Sequence, residues 1–254
     1  WLKLNTGMNR LGFAPDTFQS AVQRIKNLPG IKLAGIMTHF SHADEIENAK
    51  TDVQIHRFYE IIQDLCKEKV LGKETALSLA NSAGILAWPR SHGNWVRPGI
   101  MLYGVSPFKD KTGREFNLLP AMTLETELIA IHQVRRGESL GYSGAFICPE
   151  DMLVGVIAVG YGDGYPRNTP NGTPVLVNGQ RAAVVGKVSM DMATIDLRGH
   201  VDPKIGQKVI LWGKDLPVEE VAKHIGTIPY ELLTSLGTRV TRELVSAETS
   251  MEVY

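Results

Sequence analysis

Apolar residues run through the first part of the chain in two alternating patterns. Short continuous runs at Leu2–Leu4, Leu33–Phe40 and Ala76–Leu79 read as buried strands. Longer stretches between them keep apolar residues on one helical face. Phe18, Ala21, Val22 and Ile25 fall at i, i+3, i+4 and i+7 and predict a helix over 16–28, ended by Pro29-Gly30. Phe58, Ile61, Ile62 and Leu65 line a second helix, opened by Thr51-x-x-Gln54 with the spacing of a capping box. Asn81-Ser82-Ala83-Gly84 begins a short third helix, and Asn94–Tyr103 reads as a further strand. Strand, polar loop and helix thus repeat about four times, which implies parallel strands joined by helices. Polar residues follow each strand: Lys3 and Arg10, His39 and Ser41, Asn81 and Ser82, and Arg97. A (β/α)8 barrel keeps its active site at these strand ends. The expectation is that residues 1–117 form the C-terminal half of such a barrel. Half a barrel has open edges, so the other half is expected upstream of Trp1.

The pattern changes near Phe116-Asn117-Leu118-Leu119-Pro120. From Thr123 onward strands dominate, at 123–134, 153–159, 175–177, 182–188, 193–196 and 208–211. Asn178-Gly179 between two apolar runs is a two-residue hairpin signal. Residues 217–225 and 229–236 read as short helices, the first with proline early in its first turn. A second, mostly β domain is expected over 118–254. The fold class is therefore α/β followed by mostly β.

Charge and cysteines narrow the function classes. Lys+Arg and Asp+Glu are 27 each in 254 residues, so the net charge is zero. A nucleic-acid or anionic-membrane binder needs a basic excess, so neither partner is expected. The 2 cysteines, Cys66 and Cys148, lie far apart without a CxxC or a His/Cys cluster. No disulfide framework or metal site is implied, and a cytoplasmic location is the default. The longest apolar run, around 153–159, is well short of the ~20 residues a membrane helix requires. The chain opens on Trp1 inside a strand pattern and carries no signal-peptide pattern. It is expected to be a piece of a longer protein.

Candidate chemistry centres on Asn94-Trp95-Val96-Arg97-Pro98-Gly99-Ile100-Met101-Leu102-Tyr103-Gly104. Arg97 is a fixed cation at a strand end. Pro98-Gly99 turns the chain and leaves the N–H groups of Gly99 and Ile100 uncovered, an arrangement that can face an anion. A phosphorylated, planar ligand fits these residues, and so does an ordinary strand exit with a surface arginine. Other motifs shift that balance. Lys3-Leu4-Asn5-Thr6-Gly7-Met8-Asn9-Arg10-Leu11-Gly12 resembles the KxxTGMxRxG pattern of alanine racemases, which are pyridoxal-phosphate enzymes with a barrel and a β domain. The resemblance continues in order through Thr38-His39-Phe40-Ser41-His42-Ala43-Asp44, Ala80-Asn81-Ser82-Ala83 and the Arg97 segment. It extends to Leu140-Gly141-Tyr142-Ser143-Gly144-Ala145, Val159-Gly160-Tyr161-Gly162-Asp163-Gly164 and Gly186-Lys187-Val188-Ser189-Met190-Asp191-Met192.

The resemblance implies two-base interconversion of L- and D-alanine, which supplies D-alanine for peptidoglycan. Racemisation needs acid–bases on opposite faces of a flat cofactor. Tyr142 matches the family's tyrosine base. A phenol ordinarily titrates near ~10, and the family lowers it through a relay that here would run from Tyr142 to His39 to Arg97. Arg97 also matches the contact to the pyridine nitrogen, which an arginine leaves largely unprotonated. Arg10 would bond the cofactor's phenolic oxygen and the substrate carboxylate. Lys3 matches a carbamylated lysine that holds that arginine. Ser82, Gly99 and Ile100 match phosphate-binding positions. Met190 and Asp191 match a loop that meets substrate, and Tyr161 an aromatic that narrows the entry. Thr238-Arg239-Val240 departs from the Tyr-Arg-Val of some members, which leaves that tyrosine's phosphate contact without a match here.

The family's Schiff-base lysine lies in a segment resembling VVKANAYGHG, and nothing in these residues matches it. The chain alone is therefore expected to be inactive. The family works as a head-to-tail homodimer in which Tyr142 and Met190 would serve the partner's cofactor. Racemases of serine, lysine or arginine share the fold, as do some decarboxylases, although the Lys3, Arg10 and Tyr142 motifs speak against the latter. A non-catalytic fragment that retains the dimer surface is the reading from another class.

Overall fold

A computed structural model describes residues 1–245. The chain divides after Leu119 into two compact units. Among the described residues no helix is long and apolar enough to cross a membrane.

The first unit holds β1 (Leu2–Lys3), α1 (Pro15–Lys26), β2 (Gly35–Met37), α2 (Lys50–Lys67), β3 (Ala76–Ser78) and α3 (Ser82–Ala87). The strands form a parallel sheet in the order β1-β2-β3, with Leu2 opposite Ile36 and Ile36 opposite Leu77. Leu4, Phe18, Val22, Ile36, Phe58 and Leu79 are fully buried, so the helical stripes read from sequence do pack on the sheet. Pro15 sits in the first turn of α1, with Asp16 beside it and Arg24 and Lys26 in the last turn, the polarity that the helix dipole favours.

Two readings are corrected here. Thr51-x-x-Gln54 is not a capping box. Helix α2 begins at Lys50 behind Ala49, without a side-chain cap, and Thr51 and Gln54 are buried inside its first turns. A capping box occurs instead at Thr112 and Glu115, at the start of a 3-10 turn over Gly113–Phe116. Nor do residues 94–103 form a strand. They keep one isolated bridge, Ser78 to Trp95, and Ile100–Tyr103 is a 3-10 turn. The Asn94 side chain accepts the Leu77 N–H at 2.9 Å, while the Asn94 and Trp95 N–H groups both donate to Leu77 O. One side chain thus takes the place of a ladder bond. Pro98 has no N–H with which to resume the ladder. Gly93, at φ 61°, runs so close to Leu77 O that a Cβ would collide with it.

The second unit is built around a closed barrel. Its strands are β4 (Leu124–Val134), β5 (Ser139–Leu140), β6 (Phe146–Ile147), β7 (Met152–Ile157), β8 (Pro174–Val177), β9 (Gln180–Val185), β10 (Ala193–Asp196) and β11 (Lys208–Trp212). The closed order is β10-β7-β4-β11-β8-β9, with every pair antiparallel. Closure removes the exposed edges of an open sheet. Asn178 and Gly179 have φ 48° and 81° and join β8 to β9 with Val177 opposite Gln180, as a primed two-residue turn requires. Tyr165 stacks on Trp212 of β11 at 6.1 Å between ring centroids, and Leu128, Ile157, Ile195 and Val209 of the barrel strands are fully buried. Helices α4 (Val218–Ile225) and α5 (Pro229–Thr234) follow β11. Outside the barrel, β5 and β6 form a two-stranded ribbon that carries a 3-10 turn at Tyr142–Gly144.

Leu128→Ala empties a fully buried position that pairs with Ile157 in the barrel. It is expected to cost about 2–5 kcal/mol, read from the second unit's transition in urea.

Candidate active site

In the first unit the polar residues gather at the C-terminal ends of the three parallel strands. Lys3 ends β1, Thr38 and His39 follow β2, and Ser78 ends β3. Arg97 ties these ends together. Its Nη1 donates to Ser78 O at 2.9 Å and to Ser78 Oγ at 2.6 Å. Its Nη2 donates to Thr38 O at 2.6 Å and Leu79 O at 3.2 Å, and lies 3.5 Å from His39 Nδ1. An arginine only donates, so this contact requires an unprotonated Nδ1 and leaves the proton on Nε2.

Arg10 rides on a loop that braces itself. Asn5 Oδ1 accepts the N–H groups of Gly7 and Asn9, and Asn5 Nδ2 donates to Asn9 Oδ1 at 2.9 Å. Asn5 and Phe13 close the base through Asn5 N–H to Phe13 O and Phe13 N–H to Lys3 O, both 2.9 Å.

The field at this cluster is positive. Burial, then Arg97, Arg10 and Lys3, pushes His39 down from 6.5 to about 4. The ring is therefore neutral at neutral pH. Burial, then Arg10 and Arg97, lowers the Lys3 ammonium. Burial alone lowers Arg97. No carboxylate contributes to any of these shifts. Among the described residues no group of three or more His, Cys, Asp or Glu side chains could hold a metal ion.

Beside the cluster is a small cradle. Asn81 caps α3 by accepting the Gly84 N–H at 2.9 Å. That fixes Ser82, which is buried, as the helix's first residue. Ser82 Oγ accepts the Gly99 N–H at 2.9 Å and a longer bond, 3.4 Å, from the Met101 N–H. Its own proton stays available. Ile100 opens the 3-10 turn, where an N–H has no carbonyl within the turn. A hydroxyl, the Ile100 N–H and nearby cations fit the phosphate and ring of pyridoxal phosphate.

The remaining sequence candidates lie on the second unit. Tyr142 is exposed on the ribbon turn. Tyr161 and Met190 are partly exposed on two turns that pack backbone to backbone. Tyr161 N–H donates to Ser189 O at 3.1 Å, and Gly162 N–H to Met190 O at 2.8 Å. A Cβ at Gly160 would strike the Met190 carbonyl. Gly141, before Tyr142, lies against the Lys187 backbone, so the ribbon turn borders the same loop. Arg239 pairs with Asp163 at 3.2 Å and Asp191 at 2.6 Å and clamps both turns. Sequence reasoning singled out Asp191 but neither Asp163 nor Arg239 as its holders. Asp163 sits in a glycine-flanked turn that could have signalled it. The distance along the chain hides Arg239.

Residues 1–107 match the model of the alanine racemase N-terminal domain, and residues 121–244 that of the alanine racemase C-terminal domain. The chain belongs to the alanine racemase family. An alanine racemase of Vibrio parahaemolyticus is 50% identical over 244 residues, covering 96% of this chain and 66% of that protein. The crystal structure of the biosynthetic alanine racemase from Pseudomonas aeruginosa superposes with a TM-score of 0.88 at 42% identity, covering 96% of this chain and 66% of that one. The alanine racemase of Bartonella henselae, whose structure carries covalently bound pyridoxal phosphate, has a TM-score of 0.83 at 29% identity, covering 96% and 66%. The chain thus spans about two-thirds of the length of the curated alanine racemases it matches.

The His39 environment makes a prediction about pH. Unfolded, a histidine titrates near its ordinary value of 6.5, whereas folded His39 titrates at about 4. Between those values the unfolded chain binds more protons. The contribution is therefore complete above about 6.5 and is lost as pH falls toward 4. Histidine-resolved NMR should place the His39 midpoint near the lower value. In His39→Gln the stability loss between these two pH values should be smaller than in the unmodified protein.

Proposed function

We propose that the protein to which these residues belong interconverts L- and D-alanine with pyridoxal phosphate. The observation that carries this reading is the cluster of Lys3, Arg10, His39 and Arg97 at the ends of parallel strands, beside the Ser82 cradle. When bound, the cofactor would supply the electron-accepting ring that makes the substrate's α-proton removable. The residues around it divide the remaining tasks. Ser82 Oγ, the Ile100 N–H and, once released from Ser82 Oγ, the Gly99 N–H would hold the phosphate. Arg97 would donate to the pyridine nitrogen. Arg10 would bond the substrate carboxylate and the cofactor's phenolic oxygen.

Tyr142 moves a proton on one face. His39, neutral and with its proton on Nε2, would donate to the oxygen of the tyrosine supplied by the partner subunit and favour the phenolate. The proton on the opposite face belongs to the cofactor's lysine. That lysine is assigned to the part of the relatives' length this chain does not span, because no segment here resembles VVKANAYGHG. Residues 1–117 act as the cofactor-binding half of the barrel and residues 118–254 as the β domain, in a cytoplasmic enzyme. Tyr142, Tyr161, Met190 and Asp191 are assigned to the partner's cofactor in a head-to-tail homodimer. Their exposure on the second unit supports that assignment.

Lys3 is assigned a carbamate. Its lowered pKa raises the fraction of free amine able to add carbon dioxide with release of a proton. The anion formed attracts Arg10 and Arg97, where the ammonium repelled them.

Tyr142→Phe tests the two-base reading. Racemisation should fall about 10²- to 10⁴-fold, and solvent exchange of the α-proton should be lost from one enantiomer and kept from the other. Equal residual exchange from both would remove Tyr142 from the reaction. Carbon-13 bicarbonate should add a carbamate resonance that Lys3→Arg lacks.

A further inference from the structure

The buried amide of Gln54 has no part in the reading above, and its bonds point at the reaction centre. Its side chain is on α2 and 3% exposed. Nε2 donates to Thr6 Oγ1 at 3.0 Å and to His39 O at 3.1 Å. Oε1 accepts from Ser41 N–H at 3.0 Å and Ser41 Oγ at 3.1 Å. A primary amide has two donors and two acceptor lone pairs, so its full capacity is spent on two loops. Thr6 lies between Lys3 and Arg10, and His39 and Ser41 belong to the loop after β2. The connection is closed from the other side. Thr6 Oγ1 lies 2.8 Å from Thr38 Oγ1, both buried, and Thr38 O accepts from Arg97. Arg57, one turn further along α2, donates to Thr6 O at 3.0 Å.

We propose that Gln54 is a positioning residue of the racemase reaction, holding the Lys3–Arg10 loop to the His39 loop so that His39 stays against Arg97. It touches neither cofactor nor substrate. It acts through the His39 backbone and through Thr6. The warrant is electrostatic as well as geometric. Lys3, Arg10 and Arg97 are the charged groups that face His39. They repel one another, and loops carrying such charges drift apart unless bonds to a third element hold them. A network with every member satisfied, like this one, fixes a geometry, whereas a partly satisfied one does not.

The proposal rests on the racemase reading, and its test separates the two. Gln54→Met keeps the length and volume and removes all four bonds. Thr6→Val keeps the shape and removes the Thr6 hydroxyl's bonds to Gln54 and Thr38 while leaving Gln54 on His39 and Ser41. In the holoenzyme, Gln54→Met is expected to lower kcat about tenfold or more, with a smaller change in the KM for alanine, since small misplacements of reacting groups act on the chemical step. In the apoprotein, histidine-resolved NMR should show the His39 midpoint rising by about one unit toward its ordinary value as the cations move off. Thr6→Val should shift both readouts in the same direction by less. If Gln54→Met does not fold, Thr6→Val alone decides. A variant that loses stability while its His39 midpoint and its kcat stay at the unmodified values overturns the proposal. Absence of racemisation in the unmodified holoenzyme would overturn the racemase reading, and the His39 midpoint would still report whether Gln54 sets the loops.

Discussion

The first unit depends on the Arg97 guanidinium and the backbone oxygens it holds. Parallel strands that stop together leave carbonyl groups at their C-terminal ends with no neighbour to continue the ladder. Thr38 and Leu79 present such carbonyls, Ser78 O already accepts the Thr38 N–H at 3.1 Å, and Arg97 bonds all three from one planar group. A lysine could not do this, since a single ammonium cannot spread donors across two strand ends. The arrangement explains why the segment around Arg97 abandons strand pairing, because its cation does the joining. It also fixes the sign of the local field. A half-buried cation neutralised by dipoles instead of a carboxylate keeps its charge available to neighbours, and His39 and Lys3 both register it.

The second unit solves a different problem. Its candidate residues must be presented outward, so they are partly exposed and cannot be fixed by burial. Backbone approach fixes them instead. The glycine turn at 160–164 lies against the carbonyls of Ser189 and Met190, close enough that only a missing Cβ allows it. Arg239 adds a clamp through Asp163 and Asp191. Exposed ion pairs contribute little to stability, so the clamp's value lies in geometry. The barrel beneath is packed without an edge and carries these turns on a rigid base.

How much of this could be read beforehand depended on the range of the interaction. Local signals were legible. Asn81 announces the start of α3 and thereby places Ser82, and Asn178-Gly179 announces a hairpin whose φ values require those residues. The polar residues after each apolar run marked the strand ends that gather Lys3, His39 and Arg97. Long-range effects were not legible. The stretch 94–103 carries a strand's apolar pattern, but whether it pairs depends on Asn94 and Arg97 taking bonds from residues far away in sequence. Thr51 and Gln54 have a capping box's spacing, but their burial is decided by loops they meet only in the fold. Barrel closure likewise leaves no local mark, because an antiparallel strand looks alike in an open sheet and a closed one.

The electrostatics of the first unit have a thermodynamic consequence. Gathering Lys3, Arg10 and Arg97 without an acidic partner among the described residues costs the folded state stability. Sequences that break a local rule in this way generally do so where function requires it. An anion that binds the folded cluster and not the unfolded chain returns part of that cost, in proportion to how far its concentration exceeds its dissociation constant. Phosphate, carboxylate and a carbamate on Lys3 all carry the required charge, and each would relieve the same repulsion. Their effects therefore cannot be additive, because the first to bind removes much of the field that attracts the next. A carbamate built into the chain would satisfy Arg10 permanently. It would leave the rest of the field to be divided between cofactor and substrate.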